Sequence, residues 1–364
     1  MINPALHIAY GTRGVAKLVA ALSDGTPNLA QSIATLNGLM CSQECKLAAL
    51  ANDGAVVPVL TALLGSAEAE VRKQSALAIA SVTLMYQGRI AAADANTAAA
   101  LAGPLCSDSD PDVRGACAKA LESMTSSRDG CSVVMGAEGI VSALVKALDD
   151  ANTGVVASSI VALASLGRLD LGVDEALVAG AVPKLAKIVG PEQRDGTMLE
   201  TGLQALWNIA NTPDGKTAAI QAGLLDVLSQ QLRHGMAKVR RLAAGCVMAV
   251  SIDKEAKLGG LSCVEPLCEL LFAPDAEPSA VRDAVGALKN ITEFPKARKM
   301  VDTWAKAHKV QERMVEIFDD KLFDHKQWPA SLRFQHQNVA PGGWASIEEA
   351  ATRERWGYPR PFAM

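Results

Sequence analysis

The sequence has few aromatic residues. They make up only 4% of its 364 residues, although 49% of the chain is hydrophobic. Much of the apolar content is alanine and leucine, which favour helices, whereas β-sheets are usually richer in valine, isoleucine, threonine and aromatic residues. The scarcity of aromatics therefore argues against a β-protein and predicts an all-α fold.

The sequence also lacks an excess of basic charge and any long apolar run. A formal net charge of −4 gives no electrostatic reason to expect a nucleic acid or an anionic membrane as partner. No stretch reaches the roughly 18 consecutive apolar residues of a spanning helix, and MINPALHIAYGTRG lacks the basic start and apolar run of a signal peptide. We expect a soluble cytoplasmic protein with no nucleic-acid or membrane partner.

Metal-binding and catalytic patterns are missing as well. The eight cysteines form no CxxC pair and no Cys/His cluster at zinc spacing, so we interpret them as buried, reduced thiols. The five histidines have no nucleophile or carboxylate pair beside them in a recognisable motif, and the sequence contains no phosphate-binding loop. We expect no cofactor, no metal, no small-molecule substrate and no enzymatic activity.

What the sequence contains instead is an internal repeat. A helical pattern returns after 42 residues, and its copies often begin with the pair Val-Arg. In one copy the pattern is displaced by a residue or two, and some copies have one or two substitutions in this first pair. The seven copies open at Leu29, Val71, Val113, Val155, Thr197, Val239 and Val281.

Each copy has the same parts. A short helix follows a glycine, as in GAVVPVLTALL (54–64), and then comes a polar turn such as SDSDPD (107–112), whose residues suit turns and N-caps. A longer helix carries apolar residues at i, i+3, i+4 and i+7, and a last short helix ends at another glycine. A period near 42 built of helices alone is typical of armadillo and HEAT arrays.

The pieces GAVVPVLTALL, EVRKQSALAIASV and TGLQALWNIA resemble the armadillo repeat, over about residues 14–301. The resemblance implies an all-α, right-handed armadillo-repeat α-solenoid of about seven repeats, in which the longest helix of each repeat lines a concave groove. No single repeat can bury its apolar face alone, so the array is expected to be cooperative. We assign residues 1–13 to an N-terminal cap, 302–322 to a capping helix and 323–364 to an irregular tail.

The resemblance also implies a set of groove residues. Armadillo proteins that bind extended peptides carry an asparagine at one position of each groove-lining helix, where its amide can bond a peptide backbone. Here asparagine fills three of the seven positions, and the tryptophan that nuclear import adaptors carry one turn earlier is absent. The predicted protein-binding residues are Asn37, Ser81, Ser123, Ser165, Asn208 and Asn290, and the seventh position holds Ala249.

The pair Trp207-Asn208 is the most conspicuous of these positions. Trp207 stands next to the asparagine, hence roughly 100° away around the helix, and we predict that it faces the core. Asn208 either bonds to a neighbouring turn or contacts a peptide, and the sequence alone leaves both interpretations open.

The N-terminal part resembles a narrower group, the small armadillo proteins of the radial spoke, a T-shaped complex of motile cilia and flagella. The match covers about the first 75 residues and is general armadillo similarity beyond them. It implies a structural subunit of the axoneme that holds neighbouring proteins in fixed register. The matching residues are Ala9 to Gly11, Arg13, Leu18, Glu44-Cys45, Ala62 to Leu64 and Val71-Arg72.

The C-terminal part departs from the array. Residues 302–364 hold four of the five tryptophans, and the stretch DTWAKAHKVQERMVEIFDDKLF predicts one amphipathic helix. Beyond it, aromatic residues interleave with arginine, which suits anchors that dock on a partner; disordered tails are usually poor in aromatics. The alternative is a tail that folds back on its own solenoid. The predicted docking residues are Trp328, Phe334, Trp344, Trp356, Tyr358 and Phe362.

These patterns predict a scaffold in the radial spoke of the ciliary axoneme, in its stalk, with other proteins of that assembly as partners. The alternative is a soluble armadillo adaptor that binds linear peptide motifs reversibly, in transport or signalling. The small number of ladder asparagines argues against the adaptor.

Overall fold

The computed structural model describes residues 4–23 and 28–318, and the regular elements within them are helices. The chain divides into two compact units, Met1–Val227 and Leu228–Met364. The following bounds are given for each unit by itself.

Unit 1 contains α1 (Pro4–Ser23), α2 (Leu29–Leu39), α3 (Gln43–Ala49), α4 (Ala51–Gly54), α5 (Val56–Leu63), α6 (Ala69–Val82), α7 (Tyr86–Asp94), α8 (Thr97–Ser107), α9 (Pro111–Met124), α10 (Arg128–Met135), α11 (Ile140–Ala147), α12 (Thr153–Leu166), α13 (Asp170–Val178), α14 (Ala181–Ile188), α15 (Gly196–Ala210) and α16 (Pro213–Gln221). The boundary between the units falls inside α17 (Leu224–Gln231). Unit 2 contains α18 (Ala237–Val250), α19 (Lys254–Gly259), a 3-10 turn (Gly260–Cys263), α20 (Val264–Leu271), α21 (Pro278–Ile291), α22 (Pro295–His308) and α23 (Gln311–Phe318).

The predicted repeat is confirmed. Its longest helices, which we call the ladder helices, are α2, α6, α9, α12, α15, α18 and α21, and they begin about 42 residues apart. In unit 1 the first five pack side by side in chain order, and in unit 2 α18 packs against α21. Short helices such as α7 and α8 separate them in sequence and cover their buried faces. The fold is therefore that of stacked armadillo-type repeats.

Polar residues of the predicted turns start the ladder helices. The side chain of Asp110 accepts a hydrogen bond from the backbone N–H of Asp112 at the start of α9, and Asn152 does the same for Gly154 in α12. Asp195 caps two amide groups of α15. Each cap satisfies N–H groups that a helix start leaves without an intrahelical partner.

A glycine after each of several ladder helices lets two backbones approach closely. A Cβ placed on Gly130 would lie 1.8 Å from the carbonyl oxygen of Met124, the last residue of α9. Because that oxygen belongs to the backbone, a larger residue fits only if a helix moves. The same approach recurs with the period of the repeat, at Gly88, Gly172 and Gly215.

The cysteines mostly follow the prediction. Six of the eight are buried, and all are free thiols. Burial raises the pKa of the Cys117 thiol to about 12, so this thiol stays protonated and unreactive at neutral pH. Cys106 is half-buried and Cys41 is exposed, so the prediction of a buried thiol is wrong at Cys41.

The segment expected to form one C-terminal helix is divided in two. Helix α22 ends at His308, and Lys309 adopts a left-handed conformation with φ 57°. The N–H groups of Lys309 and Val310 bond back to the carbonyls of Lys306 and Ala305, which is the Schellman arrangement that closes many helices. Glycine usually occupies the left-handed position, so a lysine there gave no sequence signal for the break.

No single described helix is long and apolar enough to cross a membrane. Helices α10 and α11 reach the required composition only together, across a bend of 101°, and apolar residues of both are buried in the repeat stack.

Candidate protein-binding surface

The structure places the predicted groove residues in the last turns of the ladder helices. Ser123 and Asn290 are buried, whereas Asn37, Ser81, Ser165 and Asn208 are half-buried. The six side chains therefore occupy equivalent positions in successive repeats, as predicted, but they are less exposed than a surface built to grip a peptide.

Asn208 bonds within the array. Its Nδ2 donates to the carbonyl oxygen of Ala164 at 2.9 Å, and its Oδ1 accepts from Nε2 of Gln204 at 3.0 Å. The carbonyl of Ala164 lies in the last turn of α12, where a helix has no intrahelical donor to offer. Asn208 thus caps the preceding ladder helix, which is the first of the two roles left open by the sequence.

The other two ladder asparagines also bridge repeats. Asn290 donates from Nδ2 to the carbonyl oxygen of Met248 at 3.3 Å, again near the end of the preceding ladder helix. Asn37 donates instead to the following ladder helix, to the backbone oxygen of Gln74 at 2.9 Å and to its side-chain oxygen at 2.8 Å. The amide donors that could hold a peptide are used to join neighbouring repeats.

Trp207, next to Asn208, is half-buried. The prediction that it belongs to the core is therefore wrong, because the neighbouring Leu206 and Ile209 fill the buried face of α15 and leave the indole partly at the surface. A position about 100° from Asn208 on the helix does not by itself decide burial.

Four further residues one turn before the ladder positions reach the surface in unit 1 and were not predicted. They recur with the period of the repeat, which is the signal that could have found them. They are Leu77, Lys119, Val161 and Gln204, of which Lys119 is exposed and the others are half-buried.

An open cleft of about 240 Å³ lies where α6 meets α9. Lys73 and Leu77 form one wall, and Asp112 and Gly115 are among the residues on the other. Lys73 Nζ lies 3.0 Å from a carboxylate oxygen of Glu70 and 3.4 Å from one of Asp112. To a protein segment lying across the repeats, the cleft offers the apolar side chain of Leu77 and one charge of each sign, on Lys73 and Asp112.

Arginines near the start of the ladder helices join each repeat to the next. Arg72 donates from Nε and Nη2 to the two oxygens of Asp108 at 2.7 and 2.9 Å, and from Nη1 to the backbone oxygen of Ser66. Arg114 makes the same fork on Asp150, at 2.6 and 3.0 Å. We call these two contacts the arginine clasps.

The clasps alter the ionisation of their carboxylates. The fork from Arg72 holds the pKa of Asp108 below its usual value, and Arg114 does the same for Asp150, in both cases against the opposing effect of burial. In unit 2 Arg240, at the equivalent position of α18, contacts Asp275 through Nη2 alone, at 2.5 Å. Sequence analysis missed the clasps, although arginines and acidic turn residues recur at the period of the repeat.

The predicted tail residues Trp328, Phe334, Trp344, Trp356, Tyr358 and Phe362 lie outside the described residues. The same holds for the side chains of Ala9 to Gly11. Within the described part of the chain, no three His, Cys, Asp or Glu side chains are grouped as metal ligands.

The solved structures that resemble this chain include an engineered protein and designed armadillo repeat proteins. An engineered protein from a structural genomics consortium shares 26% identity, with a TM-score of 0.73 over 85% of this chain and 75% of that one. A designed armadillo repeat protein shares 19% identity at a TM-score of 0.58, over 65% of this chain and 99% of its own. A second one, in complex with the peptide (KR)4, shares 20% at 0.57, with the same coverage. No protein-family model and no curated protein matches the sequence. The likeness therefore establishes an armadillo-type fold.

Proposed function

We propose that this chain is a non-enzymatic scaffold that holds protein partners along its repeats, and that it works in the radial spoke of motile cilia, in the stalk. The observation that carries the scaffold role is the continuous bonding between repeats. Arg72, Arg114 and Asn208 each tie one ladder helix of unit 1 to a neighbouring repeat. Such bonds stiffen a surface without offering a catalytic group.

Protein partners are supported by the fold. Repeat stacks present long surfaces on which extended segments can lie, and one structural neighbour was solved with a bound peptide. The surface residues Leu77, Lys119, Val161 and Gln204 give this chain a mixed apolar and polar face on which such a segment could lie.

The placement in the spoke is supported by the sequence of the first repeats. In the structure the matching residues Glu44-Cys45 lie in α3, Ala62 to Leu64 close α5, and Val71-Arg72 lie in the first turn of α6. The resemblance therefore spans consecutive elements of the fold, from the first ladder helix to the second.

A reversible peptide adaptor is disfavoured by the asparagines. In that function their amides would have to be free for a peptide backbone, whereas here the Nδ2 groups of Asn37, Asn208 and Asn290 already donate within the array.

Stepwise salt extraction of purified motile axonemes tests the proposal. A spoke subunit stays with the axoneme after detergent and leaves together with other spoke proteins at high salt. Release into the detergent-soluble fraction, ahead of those proteins, contradicts the structural role and favours the adaptor. Deleting residues 323–364 tests the tail separately, since unchanged retention would remove its docking role.

A further inference from the structure

A second cleft lies in unit 2, between α20 and α22, and no ladder position lines it. Its volume is about 570 Å³, and it is lined by Val264, Glu265, Lys296, Lys299, Met300, Thr303, Trp304, Ala307 and His308. This volume falls within the usual range of binding pockets. Twelve residues of helix separate Lys296 from His308, roughly 18 Å, which matches a short extended peptide of five or six residues.

The apolar part of the cleft is held rigidly. The ring of Trp304 stacks between Phe272, with centroids 5.7 Å apart, and His308, at 4.1 Å. The guanidinium carbon of Arg313 lies 5.1 Å from the centre of the Phe272 ring, which is a cation–π distance. Nε1 of Trp304 is buried and has no hydrogen-bond partner among the described residues. The ring of Trp304 is half-buried and held by its stacking partners, and a rigidly held tryptophan ring is a typical anchor for a binding partner.

The rim of the cleft is basic. Lys296 and Lys299 are exposed, and neither has an ion-pair partner within the described part of the chain. The one carboxylate in the lining, Glu265, lies 3.6 Å from Arg233, so its charge is partly balanced. Helices α22 and α23 together carry three lysines and two arginines against three carboxylates, and Lys309 between them adds one more positive charge, although the whole chain has a net charge of −4. This end of the described chain therefore attracts negative charge.

We propose that this cleft binds an acidic segment of a partner protein, which places one large apolar side chain against Trp304 and its carboxylates beside Lys296 and Lys299. Charge complementarity selects the acidic sequence, and the stacked rings supply the apolar contact. The inference goes beyond the proposed function, because it does not depend on where in the cell the scaffold works.

Fluorescence anisotropy with the purified full-length chain tests it. The probe is a short fluorescein-labelled peptide of glutamates with one Leu-Phe pair at its centre. We expect saturable binding that weakens as salt rises, and a loss of about tenfold when glutamine replaces the glutamates or alanine replaces the Leu-Phe pair.

A matched pair of protein variants locates the site. Lys299→Glu and Arg298→Glu make the same charge change at adjacent exposed positions of α22, but only Lys299 lines the cleft. We expect roughly tenfold weaker binding for Lys299→Glu and less than about twofold for Arg298→Glu. Ala307→Phe, which fills the cleft without changing charge, should also abolish binding.

Three outcomes overturn the proposal. Equal losses in the two charge variants mean attraction to the helix as a whole. Binding that survives Ala307→Phe means that the cleft is not used. The sequence DDKLFD (319–324) is itself acidic and contains a Leu-Phe pair. Binding that appears only after Leu322 and Phe323 are replaced by alanine means that this segment of the chain, and not a partner, occupies the cleft. None of these results bears on the axoneme extraction, so the two proposals fail independently.

Discussion

Two neighbouring joints of unit 1 are held together by different chemistry. Between α9 and α12, Arg114 forks onto Asp150, and the two side chains are 18% and 10% exposed. Between α12 and α15, the position equivalent to Arg114 holds Val156, which is buried. The ladder helices are joined there by the neutral bond from Asn208 to Ala164, and the ion pair across this joint is the more exposed one between Lys184 of α14 and Asp149, at 2.7 Å. The same stacking of ladder helices is thus reached with an arginine clasp and without one.

The two joints distinguish the contacts that set the packing of the ladder helices from the polar bonds that reinforce it. Small apolar residues are buried along the ladder helices at both joints, and the close approach between a ladder helix and the short helix after it recurs at Gly130 and Gly172, so these shared features set the packing of each repeat. The polar bonds can be exchanged. At the clasp position of α21, the last ladder helix described, Arg282 bonds to the adjacent Asp283.

Gly130→Ala should cause the largest loss of unfolding free energy, because it disturbs the close approach of two helices that recurs from repeat to repeat. The new Cβ would fall 1.8 Å from the backbone oxygen of Met124, and such overpacking costs about 3 kcal/mol of unfolding free energy. Urea denaturation measures the loss. Gly103→Ala is the control: a Cβ there meets nothing within 4 Å in α8, so it should stabilise by up to about 1 kcal/mol. Similar losses in both variants would contradict the role of the close approach.

Arg114→Ala should cost about 2 kcal/mol, because it leaves the mostly buried carboxylate of Asp150 without its partner. Combining it with Asp150→Ala in a double-mutant cycle should reveal a coupling of at least about 1 kcal/mol. The matched cycle pairs Arg114 with Asp195, which caps a different ladder helix, and should be additive. Additivity in both cycles would show that the clasp contributes nothing.

Acid should weaken the joints that carry an arginine clasp before the joint between α12 and α15, which has none. The pKa values of Asp108 and Asp150 are lowered in the fold, chiefly by Arg72 and Arg114, so their stabilisation is complete above the unfolded pKa of about 4 and is lost as the pH falls through the folded value. Hydrogen-exchange protection in α9 should therefore drop between about pH 5 and pH 2 more than protection in α15. The loss should be smaller than in Arg114→Ala, since a protonated carboxyl still accepts hydrogen bonds. An equal drop in both helices would contradict the assignment.

The repeat could be predicted from the sequence because its signal is periodic. A 42-residue recurrence of apolar residues fixes where each ladder helix begins, and turn residues such as Asp110 mark the caps. What could not be predicted depends on distances between repeats. Whether the amide of Asn208 meets solvent or the carbonyl of Ala164 is decided by the helix 44 residues earlier. The break at Lys309 was missed because its residue type carries no preference for the left-handed conformation.

Asn208→Ala should have the smallest effect and decides the role of the ladder asparagines. It removes one neutral hydrogen bond to a helix-end carbonyl, which is worth about 1 kcal/mol. Asn211→Ala, at an exposed position just after α15, is the control and should change the unfolding free energy by less than about 0.5 kcal/mol. A loss confined to Asn208 supports its function as a cap between repeats. If the two variants are equally stable, the bond to Ala164 adds nothing to stability and the amide of Asn208 is available to a partner. That result would restore the peptide-contact interpretation of Asn208. It would also weaken the contrast between the joint with the arginine clasp and the joint without it.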